Sequence, residues 1–417
     1  MNRLERCIYD LVKRNAFIKE CMVRCYQLPF SILGRLKLRV KTKLDYCVYE
    51  NFFFGFHDKP SLDAEGRLLG HVPDGNPEGG MLSRAKIGWH QYAPNDPSCG
   101  SLNLLGSTQC CNFQQGSMLA FVGKIGVAYN DMAGTSPITR IVDFSANELE
   151  RLPFHFFSVS GDGDRFARVS FARFGHGMPG YGYRVTYAPE VESDARCSED
   201  EGEEGDFYIY SRSESKVLFR IGLAEARANS NIAGFLGYEY FSHACFSPSG
   251  ERLFLLYRRS NIKVNYSQLI VVDLVKGETR FCCTDRMVSH LHWLSEGKII
   301  LYGCVDGIDD YYLYDVELDV FKQISFGLLT SDGHPHAHPF SGEKFVTDTY
   351  PNRERRQKLY SVDLGSGDVE ELMDVYSPLR FRGVDRVDFH PRFSVCGKYV
   401  SVDTPHSGIR SQLVAKL

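Results

Sequence analysis

Residues Ser331 to Tyr350 read SDGHPHAHPFSGEKFVTDTY, with His334, His336 and His338 at alternate positions. A strand repeats its side-chain direction every second residue, so the three imidazoles share a face wherever the strand is regular. Pro335 and Pro339 work against that regularity. Neutral imidazoles gathered at one place can ligate a divalent metal, or one can serve as a general base. They can also simply fill space and hydrogen-bond to backbone. The choice depends on what else the chain brings alongside them.

A recurring pattern brings other histidines. A strand, a turn built on Ser, Asp and Gly, and a second strand appear in YFSHACFSPSGERLFLLYRR, MVSHLHWLSEGKIILYG, DGHPHAHPFSGEKFVTDTY and VDFHPRFSVCGKYVSVDT. Fainter copies are GFHDKPSLDAEGRLLGH, NFQQGSMLAFVGKIGVAYND and FHFFSVSGDGDRFARVSFAR. The turn glycines are Gly66, Gly123, Gly163, Gly250, Gly297, Gly342 and Gly397. The widest gap, after Gly163, holds the acidic run EVESDARCSEDEGEEGD, which reads as a solvated loop. Further hairpins such as LIVVDLVKGETRF and YYLYDVELDVFKQI follow most copies. The unit is therefore four strands in roughly 45–55 residues, the period of a propeller blade. Seven copies predict an all-β, seven-bladed β-propeller over residues 45–417. The final strand, SQLVAKL, would be completed by DYCVYENFFF from residues 45–54.

In such a ring the first strand of each blade lines the central channel. His243, His290, His334 and His390 all stand on that strand just ahead of the turn, at the blade period. Four adjacent blades would thus aim imidazoles at one axis, with His292 two residues beyond His290. Arg258, Arg259, Arg353, Arg355, Arg356, Arg380, Arg382, Arg386 and Arg392 accompany them. Guanidinium pairs with planar carboxylates, so those near the channel favour an anionic ligand such as a uronic-acid sugar.

Composition narrows the class. Aromatic residues make up 13% of the chain, with 29 Phe and 23 Tyr, which suits strands and carbohydrate-binding surfaces. Thirteen cysteines without a CxxC pair, behind a charged N-terminus lacking an apolar signal core, predict a reduced, cytoplasmic protein. Residues 1–44 hold eleven Lys/Arg against three Asp/Glu, while the whole chain is at −4. This basic arm reads as a helix to about Gln27, before Pro29, with Leu4, Ile8, Leu11 and Val12 at helical spacing. It predicts a membrane surface or a protein as its partner, placing the molecule at the inner face of the membrane. The acidic remainder argues against nucleic acid. GHGMPGYGY (Gly175 to Tyr183) has no helix pattern after it, so no nucleotide cofactor is expected. His57 and Asp58 in FHDKP read mainly as structure of the first blade, and Asp348 and Asp403 as inter-blade hydrogen-bond acceptors.

In order along the chain, NFQQG, PGYGY, SHACF, DGHP and HPRF resemble the seven-bladed polysaccharide lyases of the oligogalacturonate-lyase and ulvan-lyase type, over residues 50–417. The resemblance implies β-elimination at a uronic acid of an anionic oligo- or polysaccharide. It implies a divalent metal, manganese or zinc, on His290, His334 and His336. It also implies His243 as base with Arg258 beside it, Tyr181 or Tyr183 as acid, and Gln115, Arg259, His390 and Arg392 at the substrate. The chain departs from the ulvan type where it carries Cys110-Cys111 and Asn130-Asp131 in place of histidines. A catalytically silent glycan-binding or scaffold propeller of surface-polysaccharide biosynthesis, and another carbohydrate-active enzyme, are the alternatives.

Overall fold

The computed structural model describes residues 27–75, 77, 80–93, 100–185, 205–261, 264–324 and 327–417. Among the described residues seven antiparallel blade sheets stand in chain order, as the repeat predicts, beside a two-stranded pairing of Met81–Leu82 with Cys111–Asn112. The clearest is the fourth blade: Tyr238–Phe246, Arg252–Ser260, Asn265–Asp273 and Glu278–Phe281, each strand paired with the next. The first blade has three strands, Arg67–Pro73, Ala85–Gln91 and Asn103–Thr108, and its channel-side chain joins through single bridges at Phe53 and Leu62.

The repeated Ser-x-x-Gly turn has a physical cause. In the blades at Ser160, Ser247 and Ser394 the serine N–H donates to the carbonyl five residues on. The serine hydroxyl accepts from that residue's N–H. The glycine N–H closes the turn back to the serine carbonyl. Gly163, Gly250 and Gly397 take φ of 80°, 76° and 72° to do so, a region that disfavours a Cβ.

The ring closes as expected. Tyr46–Glu50 pairs antiparallel with Ser411–Lys416, from Tyr46 opposite Ala415 to Glu50 opposite Ser411, so the N-terminal strand completes the last blade. Arg392, fully buried, seals the join: it donates to Asp403 at 3.0 Å and to the Gly55 carbonyl at 3.2 Å. Asp403 in turn accepts the Phe54 and Gly55 N–H groups, the inter-blade role expected of it. Asp348 differs. Both its oxygens lie within 3.0 Å of His334 Nδ1 in its own blade, because the strand beside it is too short to hold His334 by ladder bonds.

Two departures concern the chain before the ring. Residues 27–36 are helical, past the end expected at about Gln27, before Pro29. Proline's fixed φ is a helical one, and its nitrogen forfeits only its own hydrogen bond. Val40–Thr42, within the stretch read as the arm, adds a fifth strand to the outer edge of the sixth blade. The helix expected before residue 27, and most of the acidic loop, lie outside the described residues. Among the described residues no helix is long and apolar enough to cross a membrane.

Candidate functional site

Five imidazoles meet in the channel. Ring centroids of His290 and His334 are 4.2 Å apart, and those of His334 and His390 are 4.4 Å apart. His243 stands 6.3 Å from His290. His57 lies 5.6, 5.3 and 5.9 Å from His290, His334 and His390. Phe56 packs between His243 and His390 at 5.3 and 5.7 Å. The inner strands deliver these rings through irregular backbone. Pairing in the fourth blade slips between Ser242 and Cys245, and His243 there has φ 53°. His390 has φ 46°. Left-handed backbone at a non-glycine residue is costly and concentrates at functional sites.

Each ring is held at Nδ1. His57 Nδ1 meets the Pro335 carbonyl at 3.2 Å and His390 Nδ1 the Gly55 carbonyl at 2.5 Å. His334 Nδ1 meets Asp348, and His290 Nδ1 meets Asp332 at 3.1 Å. His243 Nδ1 meets Ser242 Oγ at 2.9 Å. The Nε2 atoms of His57, His243 and His390, and Asp388 Oδ1, are buried with no hydrogen-bond partner. Ligating histidines are commonly fixed in this way by their other ring nitrogen. Ligand atoms of His334, Asp388 and His390 all lie within 4.8 Å of one another, and an imidazole–carboxylate donor set fits a divalent cation such as manganese or zinc.

Burial holds most of these rings neutral. Desolvation lowers His57, assisted by its neighbours His334, His290 and His390. Desolvation and then Arg258 lower His243, and desolvation followed by His334 and Arg392 lowers His390. His334 is the exception: burial pulls its pKa down, but Asp348 more than reverses this and raises it.

Arg258 is buried and has no carboxylate partner among the described residues. Its Nε donates to Ser242 Oγ at 2.9 Å and its Nη2 reaches the Val288 and Ser289 carbonyls at 3.5 Å. Desolvation lowers its pKa, partly offset by Tyr240, Tyr181 and Asp332. Tyr181 stacks on Phe174 at 5.2 Å, and its hydroxyl accepts from Arg386 at 3.4 Å. Burial raises that phenol's pKa. Arg386 also pairs with Asp388 at 2.7 Å.

The NFQQG and PGYGY motifs meet directly. Asn112 Nδ2 donates to the Gly182 carbonyl at 2.7 Å, and Gln115 Oε1 accepts the Gly182 N–H at 3.5 Å. Gln114 Nε2 donates to the Arg386 carbonyl at 3.1 Å, which ties both loops to the channel mouth. A helix, Phe171–Gly177, precedes PGYGY instead of following it.

The structure therefore gathers His243, His290, His334, His390, Arg258 and Tyr181. His336 sits one tier along the channel, paired with His292 at 4.3 Å and accepting the Phe393 N–H. Tyr183 turns away, its hydroxyl accepting from Asn130 at 2.9 Å and its ring stacked on Phe171. Arg259 points to the opposite face of its strand from Arg258 and pairs with Glu239 at 3.1 Å. Arg392 is committed to the ring closure, and Gln115 to the loop contact. Sequence reasoning did not single out Asp332, Asp388 or Tyr350, whose hydroxyl lies 3.5 Å from His334 Nε2, and read His57 as structural. His57 precedes its turn glycine, Gly66, by nine residues, against seven for His243, His290 and His390 and eight for His334, so its spacing did not mark it as one of the set.

Fold and channel define a seven-bladed β-propeller with a histidine-ringed channel. No protein-family model matches the sequence, and no curated protein sequence is significantly similar to it. Among solved structures, an oligogalacturonate lyase in complex with manganese aligns at TM-score 0.53 and 12% identity, covering 89% of this chain and 91% of that one. An oligogalacturonate lyase from Vibrio parahaemolyticus aligns at the same TM-score and identity, covering 91% and 97%. At such identity the likeness establishes the propeller architecture.

Proposed function

We propose that this protein is a propeller lyase that cleaves an anionic glycan by β-elimination at a uronic-acid residue. The observation that carries the reading is the chain Arg258–Ser242–His243, a buried guanidinium without a carboxylate joined to a neutral imidazole whose Nε2 is free. Arg258 supplies the charge that a uronate carboxylate lacks in this low-dielectric channel. Ser242 Oγ can accept both the Arg258 Nε–H and the His243 Nδ1–H, which leaves Nε2 as the basic lone pair. His243 takes the proton from the carbon next to the carboxylate. The electron pair released forms the carbon–carbon double bond, and the bond to the leaving glycosidic oxygen breaks. Tyr181, kept protonated by burial, gives its proton to that oxygen, and Arg386 stabilises the phenolate left behind. His334, Asp388 and His390 would hold a divalent cation, which supplies further positive charge to the substrate carboxylate.

The test is a screen of uronic-acid oligosaccharides for the ultraviolet absorbance of the unsaturated product, with metal content measured on the same preparation. Product formation by the parent, loss of at least ~10²-fold in His243→Ala, and loss of metal in a His334→Ala, His390→Ala double variant are expected. Uronate binding without an unsaturated product would make the channel a glycan receptor and overturn the lyase reading.

A further inference from the structure

The helix at 27–36 is mounted the wrong way round for a helix that belongs to a core. Its inward face is small and polar. Ser31 Oγ bonds Tyr376 Oη at 2.9 Å, and a Cβ on Gly34 would lie 2.0 Å from the Glu354 carbonyl oxygen. Phe30 takes the Arg353 guanidinium at 5.0 Å. Lys37 pairs with Glu354 at 2.5 Å, and Val40–Thr42 is stitched to the sixth blade. The outward face carries Leu28, Ile32 and Leu36, four residues apart, at 54%, 55% and 79% exposure, with Leu33 beside them and Leu38 just beyond. An apolar stripe of this kind is normally the buried side of a helix. Here it faces outward.

Charge identifies what covers it. Between residues 27 and 44 stand Arg35, Lys37, Arg39, Lys41 and Lys43, with no Asp or Glu. Between helix and ring lies a cleft of about 390 Å³ with Leu28 and Ile32 on its lip and Arg35, Arg39 and Arg380 in its wall. None of these three arginines forms an ion pair among the described residues. Exposed leucines beside guanidinium groups that lack carboxylates match the acyl and headgroup layers of an anionic bilayer. A second copy of this face would instead set like charges against one another.

We propose that the face built by residues 28–43 and Arg380 docks on an anionic lipid bilayer, with the leucines in the acyl boundary and the arginines at lipid phosphates. The connection from the sixth to the seventh blade runs from this cleft, at Arg380, to the channel site, at Asp388.

Cosedimentation of the full-length chain with vesicles decides the matter. Vesicles of phosphatidylcholine mixed with phosphatidylserine should carry the protein down, and phosphatidylcholine alone should bind at least ~10-fold more weakly. High salt should weaken binding to the anionic vesicles. Leu28→Ser, Ile32→Ser and Leu36→Ser together should cut binding at least ~10-fold with an unchanged melting temperature. Arg35→Glu with Arg39→Glu should do likewise. A parent that stays in the supernatant overturns the proposal. So does a serine variant that binds as well as the parent, since contact then lies on other residues. A parent that dimerises without lipid while the serine variant stays monomeric would assign the face to a second copy, and would overturn it equally.

Discussion

Replacing Arg392 by methionine removes the charge that joins the first and last blades. The guanidinium is fully buried, donates to Asp403, Gly55 and Phe56, and lies 5.0 Å from the Phe54 ring. Methionine keeps much of the packing volume but leaves the Asp403 carboxylate buried without its counter-charge. Breaking a buried pair from one side costs about 3–5 kcal/mol. For about 360 described residues the unfolding entropy is about 0.75 kcal/mol/K, so the melting temperature should fall by roughly 4–7 °C. Adding Asp403→Asn should recover part of that loss, because the stranded charge is then gone. Activity should fall as well, since the Gly55 carbonyl that Arg392 grips also holds His390 Nδ1. Differential scanning calorimetry of the single and double variants, with a glycan-binding titration, is the assay. A fall below about 1 °C with a raised Kd for glycan would refute the closure argument and return Arg392 to the substrate.

Three further outcomes follow from the same structure. Arg258→Met should leave the melting temperature unchanged or higher, because an unpaired buried charge is costly, while β-elimination drops by roughly 10²-fold or more; a marked loss of stability would show that Arg258 is structural. Gly116→Ala should destabilise by about 2–4 kcal/mol, read from urea unfolding, because φ is 61° and the new Cβ would meet His71 Cε1 at 2.4 Å; a neutral change would mean that the NFQQG loop can relax. Burial lowers His71 and His155 to about 4 against an ordinary 6.5. The unfolded chain thus binds more protons than the native one in this window. Stability is intact above pH 6.5 and declines as pH falls towards 4, by up to ~3 kcal/mol for each histidine. A urea midpoint that does not move between pH 7 and pH 5 would contradict that assignment.

Blade number, the turn serines and glycines, the closing strand at 46–50 and the channel positions of His243, His290, His334 and His390 were all written in the sequence. They were legible because each is a local rule repeated at the blade period: a Ser-x-x-Gly turn needs only its own six residues, and a strand aims alternate side chains at one face. Asp332, Asp388 and Tyr350 were not legible as site residues. They lie on the stretches that join blades or follow strands, where no period applies and only the closed ring sets their distance from the axis. Arg258 and Arg259 make the same point, being adjacent in sequence and alike in chemistry. The parity of one strand sends Arg258 to the channel, without a carboxylate among the described residues, and Arg259 to Glu239. Residue types and spacing told that cations stood near the channel. Tertiary structure alone decided which of them was left with an unspent charge, because a salt-bridge partner is a fact of the fold and not of the neighbouring sequence.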